Sequence, residues 1–194
     1  MSADANRGLE PTPDQRRALE EIWRGLGLEP AEFAQHTLFA ETADVVPVGK
    51  DCFERAAFLA PIAADAWRRM HAAATADGMR VLLVSAFRSY DYQARLFERK
   101  LQKRLRLSEI LRAITLPGCS EHHTGRAVDI AAPGFERLVD EFETTPEFRW
   151  LEENARRFGF ALSYPRGNSR GVGYEPWHWF LEKPESASTG AGPA

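Results

Sequence analysis

His122 and Asp129 stand seven residues apart in Ser120-Glu121-His122-His123-Thr124-Gly125-Arg126-Ala127-Val128-Asp129-Ile130, and Glu175 precedes His178 by three in Glu175-Pro176-Trp177-His178. Two imidazoles and a carboxylate suit a zinc ion and leave the fourth position of a tetrahedral site open for water. A further carboxylate beside that position can take a proton from the water as it attacks a carbonyl, and pass it to the leaving amine. The residue types therefore point to metal-assisted peptide hydrolysis, with one Zn2+ held by His122, Asp129 and His178.

The elements around these residues must bring them together. Arg126 to Ala131 alternates as a strand, which puts Ala127, Asp129 and Ala131 on one face and Val128 and Ile130 on the other. His122, just before the Thr124-Gly125 bend, can fold back over the Asp129 face. Trp177-His178-Trp179 alternates again and sends His178 away from both tryptophans. Glu175 and His178 would lie on opposite faces of an ideal strand, so both reach one site only if Pro176 marks a bend.

Upstream, Thr12-Pro13-Asp14 opens a helical pattern that ends at Gly25 and Gly27. Pro-Ala-Glu at residue 30 starts a second, short helix, and Val45 to Asp51 reads as a loop or an edge strand. Pro61 opens an alanine-rich helix that closes at Gly78. Arg80 to Ser85 reads as a buried strand whose end delivers Ser85, Phe87 and Arg88 to a loop.

Tyr90 to about Ile114 reads as one basic helix carrying Arg95, Arg99, Lys100, Lys103, Arg104 and Arg106, the pattern of a solvated face, with attraction of an anionic substrate as the alternative. Thr145-Pro146 caps another helix, Phe160 to Tyr164 reads as a strand, and a glycine-rich turn at 165–173 leads into a strand from Tyr174 to Leu181.

The 194 residues, 44% hydrophobic and 27% charged, are enough for one substantial core. We expect a flexible start at 1–11, a single catalytic domain at 12–183 and a disordered tail at 184–194. A net charge of -3 argues against a nucleic-acid partner. No apolar run is long enough to span a bilayer. Met1 to Pro11 lacks the basic-then-apolar order of a secretory leader, so the chain as it stands reads as cytoplasmic; with a leader it would face the periplasm or cell wall. Cys52 and Cys119 fit no zinc-finger spacing and leave one disulfide or two thiols open, with Cys119 read as a small buried thiol.

Three ordered blocks carry a family resemblance: Ser85-Ala86-Phe87-Arg88-Ser89-Tyr90-Asp91-Tyr92-Gln93, then Leu116-Pro117-Gly118-Cys119 running into Ser120-x-His122-x-x-Gly125-x-Ala127-x-Asp129, then Glu175-x-x-His178. From about residue 45 to 181 the chain resembles the VanY-type D-alanyl-D-alanine carboxypeptidases, which share a zinc-peptidase fold with D-Ala-D-Ala dipeptidases and phage endolysins. The resemblance implies an α+β, Hedgehog/D,D-peptidase-like fold with a small, mainly antiparallel sheet flanked by helices.

It also implies zinc ligands His122, Asp129 and His178, the base Glu175, and Arg88 on the oxyanion or a substrate carboxylate. Ser120, Gln93, Tyr174 and Trp177 become substrate contacts, with core packing an equal alternative for the last two. The implied reaction is removal of the C-terminal D-amino acid from a peptidoglycan stem peptide or its precursor. The alternatives are a peptidoglycan endopeptidase, a D-Ala-D-Ala dipeptidase, and a zinc-containing cell-wall-binding module without turnover.

The chain departs from the family pattern at His123, where relatives often carry glutamine, at Ser163, where an arginine is common, and at Trp179-Phe180-Leu181, which replaces a more polar ending. His36 and His71 read as structural, and His123 as a surface or supporting residue rather than a ligand.

Overall fold

The computed structural model describes residues 10–33, 35–103, 106–170 and 172–182. The expected flexible start lies outside the described residues except for Glu10 and Pro11, and the expected tail 184–194 lies outside them entirely. Within them, five α-helices accompany a two-stranded and a four-stranded sheet, and every strand pair is antiparallel. This is the α+β class that the sequence suggests.

Helix α1 (Pro13–Gly25) starts where the hydroxyl of Thr12 accepts the Gln15 N–H and the Gln15 side chain accepts the Thr12 N–H, a reciprocal cap. A 3-10 turn follows at Pro30–Phe33. Strands β1 (Val46–Lys50) and β2 (Ala56–Leu59) form a hairpin, so the segment left open between loop and strand is a strand. Helix α2 (Pro61–Ala76) buries Ala63, Ala64, Ala66, Trp67, Met70 and Ala74, and the four alanines let its backbone lie close to the core.

The single basic helix expected from Tyr90 to Ile114 is two helices, α3 (Tyr90–Leu101) and α4 (Leu107–Ala113). At about 3.6 residues per turn, a straight helix that buries Tyr90, Gln93 and Phe97 would carry Ile110 to the opposite face. The break turns Ile110 back, so that Tyr90, Phe97 and Ile110 share one cluster. The Glu109 carboxylate accepts the Arg106 N–H and starts the second helix. Arg95, Arg99, Lys103 and Arg106 are exposed, as a solvated face requires.

The larger sheet runs β3 (Leu82–Ser85), β4 (Ala127–Ala131), β6 (His178–Leu181), β5 (Phe160–Leu162). Strand β4 is buried at all five positions because it is central and covered on both faces. Helix α5 (Pro146–Asn154), capped by the Thr145 hydroxyl, packs Phe148 and Leu151 into the same core as α2 and the sheet. Strand β6 is shorter than expected, because Glu175 to Trp177 form a turn and pairing begins at His178.

Two apolar clusters result. The main one joins α2, α5 and the larger sheet; the second gathers Leu19 and Trp23 of α1 with Tyr90, Phe97, Ile110 and Leu116. The segment from Leu116 to Ser120 leaves the second cluster and enters the chemistry-bearing stretch. It is held by Trp23 Nε1, which donates to the Pro117 carbonyl at 2.9 Å, and by the Phe39 N–H on the Gly118 carbonyl at 2.8 Å.

Candidate active site

Asp129 sits in mid-β4, its neighbours in register being Ser85 on β3 and His178 on β6. The sheet thus places one carboxylate and one imidazole side by side. His122 comes from the 3-10 turn Glu121–Thr124, which ends at Gly125 in the left-handed conformation (φ +67°). A Cβ on Gly125 would lie 2.8 Å from the Ala60 backbone nitrogen, and the Ala60 N–H donates to the Gly125 carbonyl at 2.9 Å. Only glycine allows that approach without strain.

The bend required at Pro176 is present. The His178 N–H donates to the Glu175 carbonyl at 3.1 Å, and the Glu175 carboxylate lies 3.9 Å from His178 Nδ1. His122, Asp129 and His178 are buried and offer three ligand atoms within 4.8 Å of one another, as a shared ion requires.

The donor chemistry fits a cation. His122 Nδ1–H donates to the Ala86 carbonyl at 2.7 Å, which leaves Nε2 as a lone pair. That atom is buried without a hydrogen-bond partner among the described residues, although Asp129 Oδ2 is only 3.2 Å away. Burial and the neighbouring Arg88 hold the His122 pKa down to about 4, so the short contact sets a neutral lone pair against a carboxylate. It is not an ion pair, and a divalent ion bridging the two would satisfy both.

His178 behaves oppositely. Burial disfavours its charge, but hydrogen bonds to Asp129 Oδ1 and Glu121 Oε2, each 3.0 Å, outweigh that and raise its pKa to about 9. Burial opposes the charge of Asp129 too, yet the two imidazoles hold its carboxyl well below the usual range. Glu175 is pushed up to about 7 by burial, with His178 offsetting part of the effect. A carboxylate poised near neutrality can both take and return a proton.

Arg88 projects toward the same place, its Nη2 3.9 Å from Asp129 Oδ2. Its Nε is a second buried polar atom without a partner among the described residues. Gln93, read as a substrate contact, stands behind it: the amide donates to the Thr115 carbonyl at 2.6 Å and accepts from Arg88 Nη1 at 3.3 Å. His123 is buried rather than on the surface. Its Nδ1–H donates to the Arg88 carbonyl at 2.6 Å, its Nε2 accepts the Gly118 N–H at 3.1 Å, and its ring meets Tyr90 edge-on.

Ser120 is buried beside the 3-10 turn, and its carbonyl accepts the His123 N–H. Trp177 packs against the main core. The Tyr174 hydroxyl donates to Glu143 at 2.8 Å. His36 and His71 are exposed and far from this chemistry in sequence, each with its ring 5.5 Å from an aromatic neighbour. Cys52 and Cys119 are both free thiols, and Cys119 is half-buried.

The residue that sequence reasoning missed is Glu121. It lies between Ser120 and His122 like a spacer, yet its carboxylate is buried and touches His178. The available signal is an acidic residue directly beside His122 within the chemistry-bearing stretch.

The family model described as "VanY: D-alanyl-D-alanine carboxypeptidase" aligns with residues 56–182. The chain belongs to this VanY family. The aligned span holds all three blocks of the motif, from Arg88 to His178. Among VanY relatives, the putative carboxypeptidase YodJ of Bacillus subtilis (strain 168) is 38% identical over 120 residues, covering 60% of this chain and 43% of YodJ. The chain therefore spans less than half of that relative's length.

Among solved structures, the LdcB LD-carboxypeptidase superposes with a TM-score of 0.67 at 32% identity, covering 75% of this chain and 71% of LdcB. A mutant of the vancomycin-resistance D,D-pentapeptidase VanY from a VanB-type cassette, in complex with Zn(II), superposes with a TM-score of 0.56 at 26% identity, covering 74% and 81%. The fold is that of the D,D-peptidases.

Proposed function

We propose that this chain is a zinc-dependent carboxypeptidase that removes the C-terminal D-alanine from a peptidoglycan stem peptide or its precursor, with one zinc ion on His122, Asp129 and His178. The observation that carries the proposal is the buried, unpartnered Nε2 of His122 facing Asp129 beside His178. The VanY relative bound to Zn(II) supports the choice of metal. Zinc in such a site supplies a water of lowered pKa and polarises the scissile carbonyl.

The chain's own groups do the rest. Glu175, with its side chain partly open to solvent, takes the proton as water attacks and delivers it to the leaving amine. Arg88 presents a buried guanidinium with an unpaired Nε, suited to a substrate carboxylate or to a developing oxyanion. Gln93 and His123 hold Arg88 from behind by its guanidinium and its carbonyl. Ser120, Tyr174 and Trp177 are kept as substrate contacts of lower rank.

A second reading concerns the bond cleaved. LdcB is an LD-carboxypeptidase that aligns with 75% of this chain at 32% identity, which supports, as a second reading, an L,D bond in place of the D,D bond. Incubating the zinc-loaded protein with a muramyl pentapeptide and, separately, a tetrapeptide, and weighing the products, separates the two. Loss of one alanine from the pentapeptide supports the first reading; loss from the tetrapeptide alone supports the second. Cleavage within the stem indicates an endopeptidase, hydrolysis of free D-Ala-D-Ala alone a dipeptidase, and tight binding without products a wall-binding module.

A further inference from the structure

We infer that Glu121 is the positioning residue for His178, fixing the imidazole so that Nδ1 faces the metal position; the inference rests on the zinc reading above. Glu121 is 2% exposed, so its carboxylate is stable there only with its partners. Three donors from separate segments meet it. Oε2 accepts from His178 Nε2 at 3.0 Å and from the Ser163 hydroxyl at 2.6 Å, and Oε1 accepts from Arg170 Nη1. Ser163 lies just past β5 and Arg170 between β5 and β6, so the carboxylate is held by residues from beyond its own turn.

That loop is itself tied down. Arg166 Nη2 donates to Glu143 Oε1 at 2.7 Å, the Tyr174 hydroxyl donates to Glu143 Oε2, and the guanidinium of Arg166 lies 4.1 Å from the Tyr174 ring centre. Arg170 is thereby delivered to Glu121 by a segment anchored on either side of it.

The consequence falls on His178. With Nε2–H committed to Glu121, the ring has one orientation that also satisfies Nδ1 at Asp129 Oδ1. The rings of Tyr164 and His122, each 4.9 Å away, close its flanks. A carboxylate on the far nitrogen of a ligating histidine selects the tautomer and makes the near nitrogen a better donor, and loss of such a partner typically costs about 10–100-fold in metal affinity. Glu121 reacts with nothing in this scheme.

The test measures zinc affinity, by competition with a chromophoric chelator, for metal-free wild-type protein and for Glu121→Ala, Glu121→Gln and His178→Ala. Glu121→Ala should bind zinc about 10–100-fold more weakly. Glu121→Gln, which is isosteric and keeps an acceptor for His178 Nε2–H, should fall between it and the wild type, and it decides the matter if the alanine variant does not fold. With cobalt in place of zinc, the visible bands of Glu121→Gln should shift, since they report the donor strength of His178 rather than folding. Folded Glu121 variants that bind zinc as tightly as wild type, with unshifted cobalt bands, would overturn the positioning role and leave the metal site standing. Wild-type protein that binds no zinc, or binds it no better than His178→Ala, would overturn the metal reading and this inference with it.

Discussion

At the scale of single residues, the site depends on two imidazoles that share one carboxylate but hold opposite protonation states. His122 is kept neutral by burial and by Arg88, and His178 is kept charged by Asp129 and Glu121. Glu175 stands 3.9 Å from His178 without being one of the clustered ligand atoms, as befits a base rather than a ligand. Glu175→Gln should therefore keep zinc affinity within a few-fold and lower kcat by about 100-fold or more, whereas a variant with near wild-type turnover would end that assignment. Replacing Arg88 with lysine removes the planar fork and should lower kcat/KM by about 10–100-fold, the scale of a hydrogen bond to a charged group. A loss in KM would point to the substrate carboxylate, and a loss in kcat to the oxyanion.

At the scale of elements, short connections carry the precision. The 3-10 turn that presents His122 ends at Gly125, where a left-handed φ coincides with close contact to the Ala60 backbone. Gly125→Ala should cost about 1–3 kcal/mol from the conformation alone, lowering the melting temperature by roughly 2–12 °C in a chain of this size. An unchanged melting curve would show that the turn can relax.

The segment leading into the same turn holds Cys119, whose thiol is pushed up to about 12 by burial. Iodoacetamide at pH 8 should consequently label Cys52 well before Cys119, a difference read by peptide mass analysis. Equal labelling would mean that the segment opens readily in solution.

For the whole molecule, the buried site makes stability depend on pH, and the sign follows from each group. His122 and His123, depressed to about 4 and about 3, withhold stability as pH falls below their ordinary 6.5, because only the unfolded chain accepts those protons freely. Glu175, raised to about 7, works against them but is one group against two. His178, raised from 6.5 to about 9, stabilises fully below 6.5 and loses that contribution as pH rises through 9.

The melting temperature of the metal-free protein should accordingly peak between about pH 6 and 7 and decline on either side, which fluorimetry across pH 5 to 9 would check. A steady rise toward pH 9 would contradict the charge state given to His178. Zinc held by His178 would compete with the proton on that imidazole, so the added stability from zinc should grow over the same alkaline range, and chelation should abolish it.

Much of this was legible in the chain itself. Helices α1, α2 and α5 follow from apolar spacing and local start signals, caps at Thr12 and Thr145 and a proline at the first position in Pro61, and the strand bearing Asp129 follows from alternation, because both signals are local. The three side chains that cluster, His122, Asp129 and His178, could be picked out as candidate ligands because residue type and order restrict metal chemistry so strongly. What the sequence could not decide was long-range. The split of the basic helix was set by where Ile110 had to pack, and the shortened β6 by the turn that lets Glu175 share a face with His178. Glu121 and Arg170, 49 residues apart, meet only because the tertiary fold brings the segment after β5 to the 3-10 turn. Contacts of that kind depend on which surfaces exclude water together, and no short stretch of sequence encodes that.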